Sequence, residues 1–278
     1  MSTPKPDSNQ QIAFIGGGNM ASAIMGGLLK NGTRAAQIQV VEPLEAQRDK
    51  LKKQFGVLCH TIPGPWLTGM NLVVWAVKPQ TFKDAALHTR FHTKNALHLS
   101  VAAGVPSSSI ARWLGTECVV RSMPNTPALV GKGMTALFAR PAVNEVNRLA
   151  VEAIIKTTGA YIWLDDESHL DAVTALSGSG PAYVFYFIEA MIEAGIDMGL
   201  SREQAHKLSI STFVGASELA RAADQSPETL RAQVTSKGGT TYAALTSLEQ
   251  DGVKMLFMRA MHAAKQRARE LGDEFGSV

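Results

Sequence analysis

The chain is poor in cysteine, in aromatic residues and in long apolar runs, and its net charge is small. Each shortage removes a class of protein. Its two cysteines, Cys59 and Cys118, stand far apart without a CxxC spacing. They exclude a disulfide framework and read as small buried hydrophobes of a reducing compartment. Aromatic residues make up 6% of the chain and the net charge of +3 is not gathered into a basic cluster, so no nucleic-acid partner is expected. No run reaches the ~18 apolar residues of a membrane helix. The richest, residues 181–188, is soon followed by Glu189. Residues 1–11 are polar and lack the apolar centre of a signal peptide, so a cytoplasmic protein without a membrane partner is expected. The seven histidines are scattered: His88, His92 and His98 lie near one another but do not complete a metal-ligand set.

What is present suits two packed domains. Hydrophobic residues make up 45% of 278 residues, ample for more than one core. In the first half, short apolar runs alternate with helical stretches. Strands are expected at residues 11–16 (QIAFIG), 37–41, 71–77 (NLVVWAV), 96–101 and 118–121. Helices are expected at 19–30, 44–55 and 107–114. This alternation implies βαβ units and a parallel sheet covered on both faces. Final strands at 133–138 and 160–164 flank a helix at 143–157. Beyond Asp166 only helices are expected: 171–200, 202–224, 227–235, 240–250 and 253–271. A boundary near 165–167 therefore separates an α/β domain (1–166) from an all-α domain (167–278).

The first strand runs into Gly16-Gly17-Gly18-Asn19-Met20-Ala21, which fits G-x-G-x-x-A at the start of a helix. Gly16 allows a tight turn, Gly18 lets a pyrophosphate approach the backbone, and Ala21 permits close helix–sheet packing. The helix start adds free N–H groups and partial positive charge. At this place in a βαβ unit the pattern indicates a Rossmann-type, doubly wound sheet that binds NADPH or NADH. The second strand ends at Glu42, where an acidic residue usually meets the ribose hydroxyls of NAD and repels the extra phosphate of NADP. Alanine at the third glycine position is common with NADP, so the two cues conflict. Arg48 and Lys52 are possible phosphate contacts or solvated helix residues. Ala76-Val77-Lys78-Pro79 and Ala102-Ala103-Gly104 end strands at the same edge and are expected to line ribose and nicotinamide.

In the helical half, residues 181–198 are apolar on most sides, with Glu189, Glu193 and Asp197 along one face. Such a helix needs cover that a small domain hardly offers, so an obligate oligomer through this domain is expected. Two Gly/Ser-rich segments precede helices there. One contains Ser177, Gly178 and Ser179 before Gly180 and Pro181; the other contains Ser236, Lys237, Gly238, Gly239, Thr240 and Thr241. Read as helix caps, both offer N–H groups and hydroxyls at positive helix ends, a fitting site for a small carboxylate.

The runs SGSGPAY (177–183), MPNTP (123–127) and QVTSKGGTTYAALTSLE (233–249), with GGGNMA and AVKP upstream, resemble pyrroline-5-carboxylate reductase in order over nearly the whole chain. The resemblance implies reduction of 1-pyrroline-5-carboxylate to L-proline by NADPH or NADH. It implies a carboxylate held by Ser236, Gly239 and Thr240, with Gly238 in the same loop and Ser177, Gly178 and Ser179 lining the site. It further implies a hydroxyl of Thr241 close to the ring nitrogen, Asn125 on the cofactor side, and a homodimer through the helices that often assembles into a ring. Two departures stand out: Lys237 replaces the family's usual proline, and Glu42 replaces a small hydroxyl or amide residue. A β-hydroxyacid dehydrogenase would need a lysine base in the helix after the boundary, and residues 178–193 contain none. A reductase of another cyclic imine carboxylate and a non-catalytic NAD(P)-binding sensor are the remaining rivals.

Overall fold

A computed structural model of the chain describes residues 10–276. It divides into two compact units, residues 10–179 with 264–276, and residues 180–263. In the first unit eight strands form one sheet: β1 (Ile12–Ile15), β2 (Ile38–Val41), β3 (Leu58–His60), β4 (Leu72–Trp75), β5 (Leu97–Ser100), β6 (Val119–Met123), β7 (Gly133–Ala139) and β8 (Gly159–Trp163). Their order is β3-β2-β1-β4-β5-β6-β7-β8. Helices α1 (Asn19–Lys30), α2 (Glu45–Phe55), α3 (Pro79–Thr89), α4 (Ser107–Leu114) and α5 (Glu145–Ile155) connect them.

The apolar runs are continuous because both sheet faces are covered. Along β1, Ile12 and Phe14 enter one core cluster while Ala13 and Ile15 enter the other. Glycine ends two helices: Gly56 and Gly115 take left-handed φ of 67° and 71° after α2 and α4.

Three features differ from the sequence expectation. The three-residue edge strand β3 was not foreseen, being too short to show alternation. Helix α3 fills residues for which the sequence pattern predicts no helix; Pro79 occupies its first turn. The sheet is also not wholly parallel, since β7 runs antiparallel to β6. The link between them holds only a 3-10 turn at Thr126–Val130, and without a crossover helix the chain can only turn back.

A helical stretch then follows: α6 (His169–Val173), a π-helical turn (Thr174–Gly178), α7 (Gly180–Asp197), α8 (Arg202–Ala222), α9 (Pro227–Gln233), α10 (Thr240–Gln250) and α11 (Val253–Gly276). No strand is found beyond β8 among the described residues. In the second unit α7 packs on α8 so closely that a Cβ on Gly195 would lie 2.9 Å from that of Ala205. Tyr183 and Phe187 meet Phe257 edge to face. Within one chain α7 lacks the cover that its apolar sides need, as the sequence leads one to expect. Only Gly195 of α7 is buried, while Phe185 and Tyr186 are 59% and 69% exposed. The apolar side chains exist, but one copy of the chain does not cover them.

Candidate active site

The strand order reverses between β1 and β4, and loops after these strands face the crevice where doubly wound sheets take ligands. Gly16 has φ +94°, and a Cβ there would lie 2.6 Å from the carbonyl oxygen of Ala76 and 3.1 Å from Val77 Cγ1. Two of the loops expected to hold cofactor are thus in direct contact, and only glycine allows it. Gly16 N–H donates to Val41 O at 2.8 Å and Ala76 N–H to Ile15 O at 2.8 Å, which ties the ends of β1, β2 and β4 together. Gly18 is the N-cap of α1, without a side-chain cap, and a Cβ on it would meet nothing within 4 Å. Asn19 and Met20 open the helix, and Ala21 is fully buried behind them. This gives open space in front of a positive helix end, which fits a pyrophosphate.

Glu42 lies beside this cradle, at the strand end the sequence indicated, and makes bonds the sequence did not reveal. Its Oε2 accepts the Gly17 N–H and its Oε1 accepts the Leu44 N–H, both at 2.9 Å. The Gln47 amide donates to Gly17 O, so the glycine loop is held from two sides. Arg48 Nη1 donates to the main-chain oxygens of Glu42 and Pro43, at 2.9 and 2.6 Å.

Lys78 is exposed at the N-cap of α3, next to half-buried Pro79. After β5, Ala102 is buried, Ala103 exposed and Gly104 buried with φ +79°. Ser100 Oγ accepts the Ala102 N–H, and Ser100 O accepts the Ser122 hydroxyl. The end of α11 backs this loop: a Cβ on Gly104 would touch Leu271 at 3.4 Å and Phe275 at 3.6 Å.

The two motifs MPNTP and SGSGPAY meet. Asn125 Nδ2 donates to Ser177 O at 3.3 Å and to Ser177 Oγ at 3.1 Å, and Asn125 Oδ1 accepts the Met134 N–H at 2.9 Å. A Cβ on Gly178 would lie 2.3 Å from Met123 Cε. The expectation of a free helix start at residues 177–180 is overturned. These residues belong to or follow a π turn between α6 and α7, and the Ser179 N–H is spent on Thr174 O at 2.8 Å. Such turns widen a helix by one residue and recur at functional sites.

The second Gly/Ser segment is a helix start. Gly239 caps α10 without a side-chain bond, Gly238 has φ +76°, and Thr240 and Thr241 follow in the first turn, both exposed. Gly239 N–H donates to Ser236 O at 3.0 Å, and a Cβ on Gly239 would lie 2.7 Å from Ser236 Oγ, so the loop is tight. Lys237 is exposed at its tip.

A family model described as pyrroline-5-carboxylate reductase dimerisation matches residues 167–271, and one described as NADP oxidoreductase, coenzyme F420-dependent, matches residues 11–104. A pyrroline-5-carboxylate reductase from Pseudomonas aeruginosa is 41% identical over 99% of this chain and 100% of its own length. The chain belongs to the pyrroline-5-carboxylate reductase family. One from Pisum sativum is 36% identical, over 94% of this chain and 95% of its own. Among solved structures, a Coxiella burnetii pyrroline-5-carboxylate reductase superposes with a TM-score of 0.88 at 38% identity, covering 95% of this chain and 98% of its own. The Plasmodium falciparum pyrroline carboxylate reductase, solved with NADP bound, superposes at 0.86 with 30% identity, covering 95% of this chain and 99% of that one.

Sequence reasoning missed one supporting cluster. Glu167 accepts the Ser107 N–H at 2.7 Å and the Arg121 guanidinium at 2.9 Å on one oxygen, and the Ser107 hydroxyl on the other. It caps α4, whose start follows the Ala102–Gly104 loop, from 60 residues away. Burial raises the nearby Asp171 carboxyl above its usual range, with Arg121 and Lys265 pulling against that shift. No short motif announces a cap supplied from so far along the chain.

Proposed function

We propose that this chain reduces 1-pyrroline-5-carboxylate to L-proline, with NADPH or NADH as hydride donor, as the last step of proline biosynthesis. The observation that carries this reading is the seating of Gly16 against Ala76 beside the open helix start at Gly18, in a chain of this family. Residues 1–166 serve as the dinucleotide-binding part and residues 167–278 as the substrate and dimerisation part. Gly16, Gly18, Asn19 and Met20 hold the pyrophosphate. Glu42 faces the adenosine ribose. Ala76, Val77, Lys78, Pro79, Ala102, Ala103, Gly104 and Asn125 line the ribose and nicotinamide side.

When bound, the dihydronicotinamide supplies a hydride. The substrate is a cyclic imine, already electrophilic once protonated, so the chain needs neither a nucleophile nor a strong acid. Its task is to position the imine carbon and keep water away. Ser236, Gly238, Gly239 and Thr240 receive the carboxylate at the start of α10, with Ser177, Gly178 and Ser179 as further lining. The Thr241 hydroxyl hydrogen-bonds the ring nitrogen and orients it.

The protein works as a homodimer through its helices, with a higher ring of dimers built from it, and resides in the cytoplasm. The uncovered apolar side chains of α7 support the dimer, and the free thiols Cys59 and Cys118 suit a reducing compartment. Among the described residues no helix is long and apolar enough to cross a membrane. The test is loss of nicotinamide absorbance with DL-1-pyrroline-5-carboxylate, NADPH and NADH in parallel, with proline identified as product. Cofactor binding without turnover would redirect the reading to another cyclic imine acid or to a sensor.

A further inference from the structure

We propose that Glu42 makes this chain prefer NADH over NADPH, because its carboxylate is fixed in place and cannot yield to a 2′-phosphate. The inference rests on the reading of the N-terminal part as a nicotinamide-dinucleotide site and adds to it the choice between the two cofactors.

An acid at the end of the second strand of such a sheet discriminates only if it stays where the ribose arrives. An acidic side chain free to rotate would swing into water and admit the phosphate. Glu42 does not have that freedom. It is 7% exposed, and each of its oxygens accepts a main-chain N–H, from Gly17 and from Leu44. Rotation would strip both N–H groups of their acceptor. Gly17 is part of the fit: a Cβ there would lie 3.3 Å from Glu42 Oε2 and 2.5 Å from Leu51 Cδ1. The Gln47 amide, donating to Gly17 O, holds the same loop from the other side.

An ionised carboxylate has about four acceptor positions, and two N–H groups leave about two for the two hydroxyls of an adenosine ribose. A 2′-phosphate replaces one of these donors by a dianion. Arg48 and Lys52, the cations the sequence offers for that phosphate, are already engaged. Arg48 directs Nη1 at the main-chain oxygens of Glu42 and Pro43, which anchors its guanidinium to the strand end. Lys52, one helical turn on, is paired with Asp49 at 4.0 Å on an exposed face. The alanine at the third glycine position, Ala21, packs inside the core and does not touch this choice.

The test uses the purified full chain. NADH and NADPH are titrated by nicotinamide fluorescence without substrate, and kcat/KM is measured for each with DL-1-pyrroline-5-carboxylate. The wild type is expected to bind NADH at least ~10-fold more tightly, the scale a like-charge contact imposes. Glu42→Gln and Glu42→Ser are expected to bring the ratio to unity or beyond by strengthening NADPH binding, not merely by weakening NADH. Equal or tighter NADPH binding by the wild type overturns the proposal, as does a variant that weakens both cofactors alike, since Glu42 then only clasps the loop. The wild-type ratio needs no variant and decides the matter if the substitutions fail to fold. Failure of a folded wild type to bind either cofactor would overturn the dinucleotide reading itself; tighter binding of NADPH would leave that reading intact.

Discussion

Thr241 and His98 show how differently single residues act here. Thr241 is exposed on the first turn of α10, where its hydroxyl is available to a ligand. Thr241→Val keeps the shape and removes the hydroxyl. It should lower kcat/KM by about 10- to 100-fold, the scale of one hydrogen bond, and leave the cofactor Kd alone. Steady-state kinetics with a parallel fluorescence titration checks this, and an unchanged kcat/KM would remove Thr241 from the reaction. His98 belongs to the core instead. Its Nδ1 accepts the Trp75 indole N–H at 3.0 Å, and its Nε2 donates to Thr93 O at 3.1 Å. Burial pushes its pKa down to about 4 from an ordinary 6.5, against the opposing pull of the Thr93 carbonyl. The native ring stays neutral while the unfolded one takes up a proton below 6.5. Stability is therefore full above pH 6.5 and declines as pH falls towards 4. At pH 5 this loss is about 2 kcal/mol. Urea melts at pH 7.5 and 5 should show it, and His98→Asn should flatten the difference; parallel pH profiles would contradict the assignment.

At the scale of elements, the glycine loop was legible because its chemistry is local. A strand, a turn that only glycine permits and a helix start follow one another in the chain. The contact of Gly16 with Ala76 makes the point testable. In Gly16→Ala the methyl would overlap the carbonyl oxygen at 2.6 Å in a left-handed backbone. Strain of about 1–3 kcal/mol is expected from the backbone alone. Melting temperature and affinity for both cofactors should fall together, and an unaltered melt and Kd would mean that the strand ends are not so tightly joined. The π turn was not legible, because Ser-Gly-Ser-Gly-Pro reads as a helix start by composition. It is the bond from Ser179 N–H to Thr174 O that continues the helix through it. The role of Glu42 was half legible: its place at the end of β2 was read from spacing, while its bonds to Gly17 and Leu44 depend on side-chain geometry. The reversal of β7 turns on the lack of a crossover helix in a nine-residue link, 124–132, whose boundaries only the folded chain makes plain.

At the scale of the whole molecule, the helical unit carries its apolar residues on the outside. Phe185, Tyr186, Leu208, Val214, Leu219 and Met255 are each more than half exposed. A second copy that covers α7 would bury such side chains twice over, at about 1.5–3 kcal/mol each. Phe185→Lys should therefore weaken self-association by about a hundredfold or more. Sedimentation across a dilution series would register a shift from dimer to monomer, and a dimer that survives dilution as well as wild type would place the interface elsewhere. The need for a partner could be read from the sequence, because an apolar helix in a small domain lacks cover. The surface involved became visible only once the side chains left uncovered by one copy were known.

The last helix belongs to both units, and this orders events during synthesis. The first unit includes residues 264–276, which emerge only after all of residues 180–263. Domains generally fold as the chain is made, the first one earliest. Here one loop of that early unit has to wait. The loop at Gly104 stays without its backing from Leu271 and Phe275 until the final turns of α11 arrive. A nascent chain can therefore build its strands early, but the loop that follows β5 is among the last parts to be finished.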